Sequence, residues 1–474
     1  MKYYYYLPIF LLLPLFMQAQ ATLVARGDKA FRDLRYVDAI DLYRNALAED
    51  SINKATMIKL AESYYRTQQY DASLSWYHKA IQADAAVTTD TVLYRYAQLL
   101  AMSGQYPAAA GAYRQYMAKG HPDEQLNNTA QVYENNISSF YKDTLNTQSR
   151  LLNINSGYAD FCPVFVRAGL AFVSDRPRAQ AFKKINGWTG GEFLELFYTK
   201  DTARVKDVML RSPELEDVLS YAPQNKIVND DNDPQSSAGS PMVAVNRKLN
   251  YKPVENQLSS QMVMVFDNRL GGRFHLGPMA FSHNQDTAVI TYNYPAKQGK
   301  NGVSRLQLQF FKATRNGWGK LPDFPYNSPD YNVGHGALHP NGKVLFFTSD
   351  MPGGLGGKDL YYCLLTDKGW APPVNAGPLV NTAGNEMFPY VSPEGVLYFS
   401  SDRWPGLGGL DIFSVKLEGG YKAIAAPQNA GAPLNSRRND FGVLLYDHDS
   451  RGYFSSDRRG NDDIYRFSPV SSAQ

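Results

Sequence analysis

Gly342-Lys-Val-Leu-Phe-Phe-Thr-Ser-Asp350-Met-Pro-Gly-Gly-Leu-Gly-Gly-Lys-Asp359-Leu-Tyr-Tyr returns further along the chain as Gly395-Val-Leu-Tyr-Phe-Ser-Ser-Asp402-Arg-Trp-Pro-Gly-Leu-Gly-Gly-Leu-Asp411-Ile-Phe. A shorter copy, Gly452-Tyr-Phe-Ser-Ser-Asp457-Arg-Arg-Gly-Asn-Asp-Asp463-Ile-Tyr, lies near the C-terminus. In each copy an apolar run follows a glycine turn, ends at Ser-Asp, crosses a polar or Gly-rich loop and resumes as a second apolar run opening on Asp. That pattern reads as strand, loop, strand. Asp350, Asp402 and Asp457 lie 52 and 55 residues apart, a period that suits propeller blades.

Two weaker copies lie upstream. One runs from Asp160-Phe-Cys-Pro-Val-Phe to Val173-Ser-Asp175 and then Leu194-Glu-Leu-Phe-Tyr. The other runs from Leu276-Gly-Pro-Met-Ala-Phe-Ser to Val289-Ile-Thr-Tyr-Asn293 and then Leu306-Gln-Leu. The gap from Asp175 to Asn293 is wide enough for a sixth blade or an insertion. The polar, acidic stretch Asn229–Ser240 favours an insertion near 200–271 and five blades. The propeller is expected over 151–469.

The N-terminal part repeats with a different period. Tyr36-Val-Asp-Ala39-Ile-Asp-Leu-Tyr43, Tyr70-Asp-Ala-Ser-Leu-Ser-Trp-Tyr77 and Tyr106-Pro-Ala-Ala-Ala-Gly-Ala-Tyr113 start 34 and 36 residues apart. Spacings of seven, with Ala46, Ala80, Leu47, Ile81 and Met117 beyond, put these residues on one helical face. Partner helices are expected over roughly 24–34, 55–66 and 92–102, and a capping helix over about 126–140. This resembles the tetratricopeptide (TPR) repeat. The fold class is therefore α + β multidomain: a TPR α-solenoid over 22–145, then a five-bladed propeller. Tyr36, Ala39, Tyr43, Tyr70, Tyr77, Tyr106 and Tyr113 are the expected helix-packing residues.

Composition narrows the function. With 44% hydrophobic and 20% charged residues the chain is globular rather than disordered. Its net charge of +3 carries no basic block, which argues against a nucleic-acid partner. Lys2, the short apolar run Leu7–Phe16 and the small residues Ala19 and Ala21 read as a cleaved signal peptide over 1–21, hence export. Cys162 and Cys363 are expected to be separate buried thiols.

The hairpin motif is similar to the WD-like repeats of TolB-type propellers. The wider order is more specific. TPR repeats precede Ile154-Asn-Ser-Gly-Tyr-Ala-Asp160-Phe, then Val333-Gly-His335-Gly, Asn381-Thr-Ala-Gly-Asn-Glu386 and Asn435 to Asp440-Phe-Gly. This resembles the PorE family, periplasmic proteins associated with type IX secretion in Bacteroidetes. Those relatives begin with a lipidated Cys and continue into a regulatory-like β domain and an OmpA-like peptidoglycan-binding domain. This sequence stops seven residues after Phe467 and has no Cys near its start. The expectation is a non-enzymatic adaptor, outer-membrane associated through its partners in a secretion or gliding complex.

Candidate chemistry is sparse. The glycines Gly353, Gly354, Gly356, Gly357, Gly406, Gly408 and Gly409 precede a strand, whereas phosphate-binding loops precede a helix. They are expected to supply positive φ in hairpin loops. Asp350, Asp402 and Asp457 are expected to cap turns through backbone N–H groups, Asp175 holds the matching place in a weaker copy of the repeat, and Asp359, Asp411 and Asp463 are expected to open third strands. Arg403 and Arg458 are expected to pair with carboxylates of neighbouring blades, as surface pairs of little weight. His335 and His339 share a spacing of four, but in a strand that separates them by about 13 Å. Asn229-Asp-Asp-Asn-Asp233 offers oxygens for calcium but lacks the glycine and terminal glutamate of an EF-hand. No Gly-x-Ser-x-Gly elbow occurs. No catalytic residue, metal site or cofactor is expected. A peptidoglycan- or glycan-binding module, and a propeller glycan hydrolase or lyase, remain open from sequence.

Overall fold

Turn chemistry sets the helical pairs. The computed structural model describes residues 13–177, 186–208, 258, 261–271, 274–294 and 304–470. Among them are helices α1 (Leu13–Arg32), α2 (Tyr36–Glu49), α3 (Lys54–Arg66), α4 (Tyr70–Ala83), α5 (Asp90–Met102), α6 (Tyr106–Ala118) and α7 (Glu124–Asn135). Asn53, Thr89 and Asp123 cap α3, α5 and α7 by accepting the N–H of Thr56, Val92 and Leu126. The helices α2, α4 and α6 have no side-chain cap. Each follows a tight turn in which Leu34, Gln68 or Gly104 takes a left-handed backbone. The next N–H in each turn donates to a carbonyl of the preceding helix: Arg35 to Ala30, Gln69 to Tyr64, Gln105 to Leu100. Three helical hairpins result, each packed on the next, with α7 against α6. The repeat spacing in the sequence is the spacing of these hairpins.

The expected signal segment 1–21 falls partly outside the described residues, and its remainder is the start of α1. Among the described residues no helix is long and apolar enough to cross a membrane.

A 3₁₀ segment (Ile137–Leu145) leads to β1 (Thr147–Leu151). Blade 1 is β2 (Asp160–Val166), β3 (Gly169–Ser174), β4 (Glu195–Thr199) and β5 (Met264–Val265). Blade 2 is β6 (His275–Phe281), β7 (Thr287–Tyr294), β8 (Arg305–Thr314) and β9 (Gly317–Lys320). Blade 3 is β10 (Val333–Leu338), β11 (Val344–Ser349), β12 (Asp359–Thr366), β13 (Gly369–Trp370) and β14 (Val374–Asn375). Blade 4 is β15 (Glu386–Val391), β16 (Val396–Ser401), β17 (Asp411–Glu418), β18 (Lys422–Ala423) and β19 (Gln428–Asn429). Blade 5 is β20 (Asp440–Tyr446), β21 (Arg451–Ser456) and β22 (Asp463–Pro469), with β1 as its outer strand, Leu151 opposite Tyr465. The start of the β region thus pairs with its end and closes the ring, a device that leaves only short edges.

The inner strands β2, β6, β10, β15 and β20 contact one another in a closed circle. Each carries a bulge near its start. At four of the bulges the third residue is left-handed: Cys162, His335, Phe388 and Gly442. His335 stacks on Phe388 at 4.1 Å, Phe388 lies 4.6 Å from Phe441, and Phe161 lies 5.9 Å from Phe441. Blades 3, 4, 5 and 1 therefore meet through one chain of rings.

The insertion leaves blade 1 between β4 and β5. Its first residues run beside Leu151–Asn153, with the Val208 N–H donating to Leu151 C=O. Residues 209–257, with the Asn229–Asp233 segment, lie outside the described residues. Cys162 and Cys363 are buried free thiols, and burial raises both, Cys363 to about 12.

Candidate interaction surface

The repeated carboxylates tie loops together. The Ser-Asp residue of each of four blades accepts the backbone N–H just before that blade's inner strand. Ala159 donates to Asp175 at 2.7 Å, Asn332 to Asp350 at 2.6 Å, Asn385 to Asp402 at 2.8 Å and Asn439 to Asp457 at 2.7 Å. In the last three the Asn side chain also donates to the second oxygen. The third-strand aspartates hold the hairpins. Asp359 accepts from Leu355 and Gly356 N–H, and Asp411 from Leu407 and Gly408 N–H.

Asp463 differs. Its loop is three residues shorter and lacks the Leu-Gly-Gly segment. Among the described residues both of its oxygens lack a hydrogen-bond partner, and burial pushes its carboxyl well above the usual range.

The glycines have a different role from the one expected. Of the seven, only Gly353 has positive φ. The others lie where a side chain would strike a neighbour. A Cβ at Gly356 would meet the carbonyls of Thr382 and Gly384, one at Gly408 the carbonyl of Arg437, and one at Gly409 the side chain of Asn439. Cβ atoms at Gly354 and Gly406 would meet Asp359 and Asp411, and one at Gly357 would meet Asn385. Close approach, to the next blade's loop at Gly356, Gly357, Gly408 and Gly409 and to the blade's own aspartate at Gly354 and Gly406, requires glycine there rather than unusual backbone.

Three of the stretches that carry the resemblance in the sequence hold a second recurrence, whose role spacing alone did not show. Asn155, Asn327, Asn381 and Asn435 each present a side-chain amide to one residue of the preceding blade's third strand. Their Oδ1 atoms accept from Ile464, Leu308, Leu360 and Ile412 N–H, and their Nδ2 groups donate to the carbonyls of the same four residues. An acid follows five positions after three of these asparagines: Asp160, Glu386 and Asp440. Each takes the N–H and hydroxyl of Ser156, Thr382 or Ser436. The signal was the recurring Asn-(Ser/Thr)-x-x-x-(Asp/Glu) that starts at 155, 381 and 435, together with the spacing of 54 residues between Asn327, Asn381 and Asn435.

The arginine pairing also departs from expectation. Arg458 binds Asp440 of its own blade at 2.6 Å, with side chains only 7% and 0% exposed, so this is a buried pair. Arg176 binds Asp160 in the same way. Arg403 occupies the same place in blade 4 but turns away to Asp123, the N-cap of α7, at 2.7 Å. Glu386 is left with Thr382 and Ser401, and burial pushes it up to about 7.

That turn of Arg403 belongs to a seam between the helical array and one face of the propeller. Tyr36 meets Trp188 of blade 1 edge-on at 4.9 Å, and the Trp188 indole N–H donates to Arg66 C=O. Arg438 of blade 5 binds Asp71, and the Asn439 amide donates to the Tyr70 hydroxyl at 2.7 Å. Arg437 donates to Ser103 C=O, and Ala432 N–H to Phe140 C=O. In blade 4 the Tyr106 hydroxyl donates to Leu407 C=O at 3.0 Å. Leu407 is 0% exposed and joins the buried cluster containing Tyr106, Tyr133 and Ile137.

The seven expected packing residues divide accordingly. Ala39, Tyr43, Tyr77 and Tyr113 are buried inside the array, with Tyr43 donating to Asp28 and Tyr77 to Glu62. Tyr36, Tyr70 and Tyr106 are also buried, but each leads its helix onto the propeller.

His335 and His339 do not come together. His335 sits in its axial bulge against Phe388, while His339 lies in the hairpin turn and accepts from Asn341 N–H. Among the described residues no group of three or more His, Cys, Asp or Glu could hold a metal ion.

The seam runs over blades 1, 5 and 4. On blade 3 no helix among the described residues covers the twin of the Leu407 hairpin: residues 352–357 are exposed, Leu355 by 50%.

No family model and no curated protein matches the chain. Solved structures resemble it at the level of fold. BT0996, solved as a complex with RGII, aligns with a TM-score of 0.37 and 12% identity over 73% of this protein and 96% of that one. The first TPR of Spaghetti (RPAP3) bound to the HSP90 peptide SRMEEVD aligns with a TM-score of 0.23 and 17% identity over 26% of this protein and 94% of that one. XC5397 from Xanthomonas campestris, a gluconolactonase, aligns with a TM-score of 0.26 and 11% identity over 41% of this protein and 57% of that one.

Proposed function

We propose that the chain is a non-enzymatic scaffold: a helical array and a propeller fixed to each other and presenting loops to protein partners. The observation that carries this reading is how the repeated polar groups are used. The Ser-Asp carboxylates and the interblade asparagines hold backbone, while the loops they shape either clamp the array or stand exposed as apolar hairpins. Loops on a rigid frame are where binding residues concentrate. The resemblance in the sequence supports a periplasmic scaffold, exported by a cleaved signal peptide, within an envelope complex of the type IX secretion or gliding machinery. Its partners are then outer-membrane or secretion-complex components.

The test is affinity purification of the tagged full-length chain from cross-linked envelopes, beside sedimentation with purified sacculi. Recovery of envelope or secretion proteins, without sedimentation by sacculi alone, supports the proposal. Recovery of no such protein sinks it, and binding to bare sacculi transfers the chain to the glycan-binding class.

A further inference from the structure

We propose that the blade 3 hairpin, Pro352–Gly357, docks an α-helical hairpin of another polypeptide, in the way the blade 4 hairpin docks the chain's own array. This rests on the scaffold reading above and names the kind of partner that one surface fits.

Blades 3 and 4 carry the same device. Asp359 gathers the N–H groups of Leu355 and Gly356 as Asp411 gathers those of Leu407 and Gly408. Both hairpins are pressed against the next blade's loop. Gly356 abuts Thr382 and Gly384, and Gly408 abuts Arg437. Leu355 and Leu407 each stand five residues after the Ser-Asp aspartate. The two loops are thus offered on the same face of adjacent blades, each held by its own aspartate.

Their surroundings differ. Leu407 is fully buried beside α6, α7 and the 3₁₀ segment, and its carbonyl accepts from the Tyr106 hydroxyl. Leu355 is half exposed, and every residue from Pro352 to Gly357 is exposed. A single exposed leucine is ordinary by itself. What favours docking is that the same hairpin, held in the same way on the next blade, already buries its leucine against helices, and a loop fixed beforehand loses little freedom on binding.

The occupied copy shows what fits. Its socket lies between the turns of packed helices, has an apolar floor, and supplies a hydroxyl donor to the leucine carbonyl. One substitution specifies the partner further. Arg403, which reaches the acidic cap Asp123 in blade 4, is replaced by Met351 in blade 3. Met351 is half-buried against the blade 3 core, so blade 3 offers no cation there and its partner has no use for an acidic cap. The site also continues an existing interface, because blade 3 is the next blade beyond the end of the array at α7.

The experiment uses the full-length chain in its native envelope, with a photo-crosslinking amino acid at Pro352 and, as an exposed control, at Ile52. Adducts are digested and mapped by mass spectrometry. The expected adduct from position 352 maps to a helix–turn–helix segment of a different protein. Its yield falls at least about tenfold when Leu355→Asp is added, while the melting temperature of that variant is unchanged. The proposal is overturned by adducts on strands, glycan or lipid, by adducts on a second copy of this chain, by yields no higher than from Ile52, or by indifference to Leu355→Asp. If cross-linked purification still recovers envelope proteins when the position 352 adduct is missing, only this inference falls. If both fail, the scaffold reading falls with it.

Discussion

Truncating Leu407 to alanine, beside the same change at Leu355, isolates the apolar part of the seam. The two hairpins share their backbone, their carboxylate and their packing on the next blade, so the comparison cancels effects on loop formation. Leu407 is 0% exposed inside a cluster with Tyr106, Tyr133 and Ile137. Leu407→Ala keeps the carbonyl that Tyr106 holds and removes only the side chain. Buried leucines truncated in this way cost about 2–5 kcal/mol, rising with the cavity left behind. Leu355, half exposed, is expected to change stability by no more than about 0.5 kcal/mol when truncated. Two of the five tryptophans report on this face: Trp188 bonds Arg66 of the array, and Trp404 sits in the blade 4 loop and bonds Val380. Urea titration followed by tryptophan fluorescence reads the release of the array. The expected result is an earlier transition for Leu407→Ala, worth at least about 2 kcal/mol, and no shift for Leu355→Ala. Equal shifts for the two variants, or none for Leu407→Ala, would refute the claim that this leucine pins the array.

Further expectations follow from the buried charges. Arg458→Met leaves Asp440 buried without its cation and is expected to cost about 3–5 kcal/mol in denaturant unfolding, with part recovered by adding Asp440→Asn. Glu386 holds its proton up to about 7 in the folded chain against an ordinary 4.5. The folded state therefore binds more protons than the unfolded state between those values, and stability falls as pH rises through that window. Glu386→Gln should match the parent near pH 4 and exceed it above pH 7 by on the order of 3 kcal/mol, as read from thermal unfolding across pH. Asp463→Asn replaces a buried carboxyl that has no hydrogen-bond partner among the described residues, so it should leave the fold intact and raise the melting temperature at neutral pH.

Much of the architecture was legible because it is written at short range. Tyr36/Tyr43, Tyr70/Tyr77 and Tyr106/Tyr113 mark helical faces by spacing alone, and Ser-Asp at 350, 402 and 457 marks blades. Between Asp175 and Asn293 the gap alone left a sixth blade open, and it was the polar, acidic stretch Asn229–Ser240 that pointed to an insertion and five blades. What the sequence hid depends on contacts between distant segments. Gly356 and Gly408 look like turn glycines, yet their constraint comes from the carbonyls of a loop in the next blade. Arg403 and Arg458 follow the same Ser-Asp pair, yet one crosses to α7 and the other stays with its blade. Glu386, one methylene longer than Asp440, takes Ser401 instead of an arginine. Tyr36, Tyr70 and Tyr106 carry the helical period like their partners, and nothing local tells that their far side meets the propeller.

Native-state hydrogen exchange on the full-length chain tests most directly whether the array and the propeller form one fixed frame. The amides of Leu407 and Leu355 both donate to an aspartate in the same hairpin geometry, so a difference in exchange between them reports only what covers them. The expected result is exchange of the 405–409 hairpin at least about tenfold slower than that of the 352–357 hairpin, with the first turns of α4 and α6 protected to a similar degree. Equal, fast exchange in both hairpins would contradict the account, because the array would then be lifting freely from the propeller.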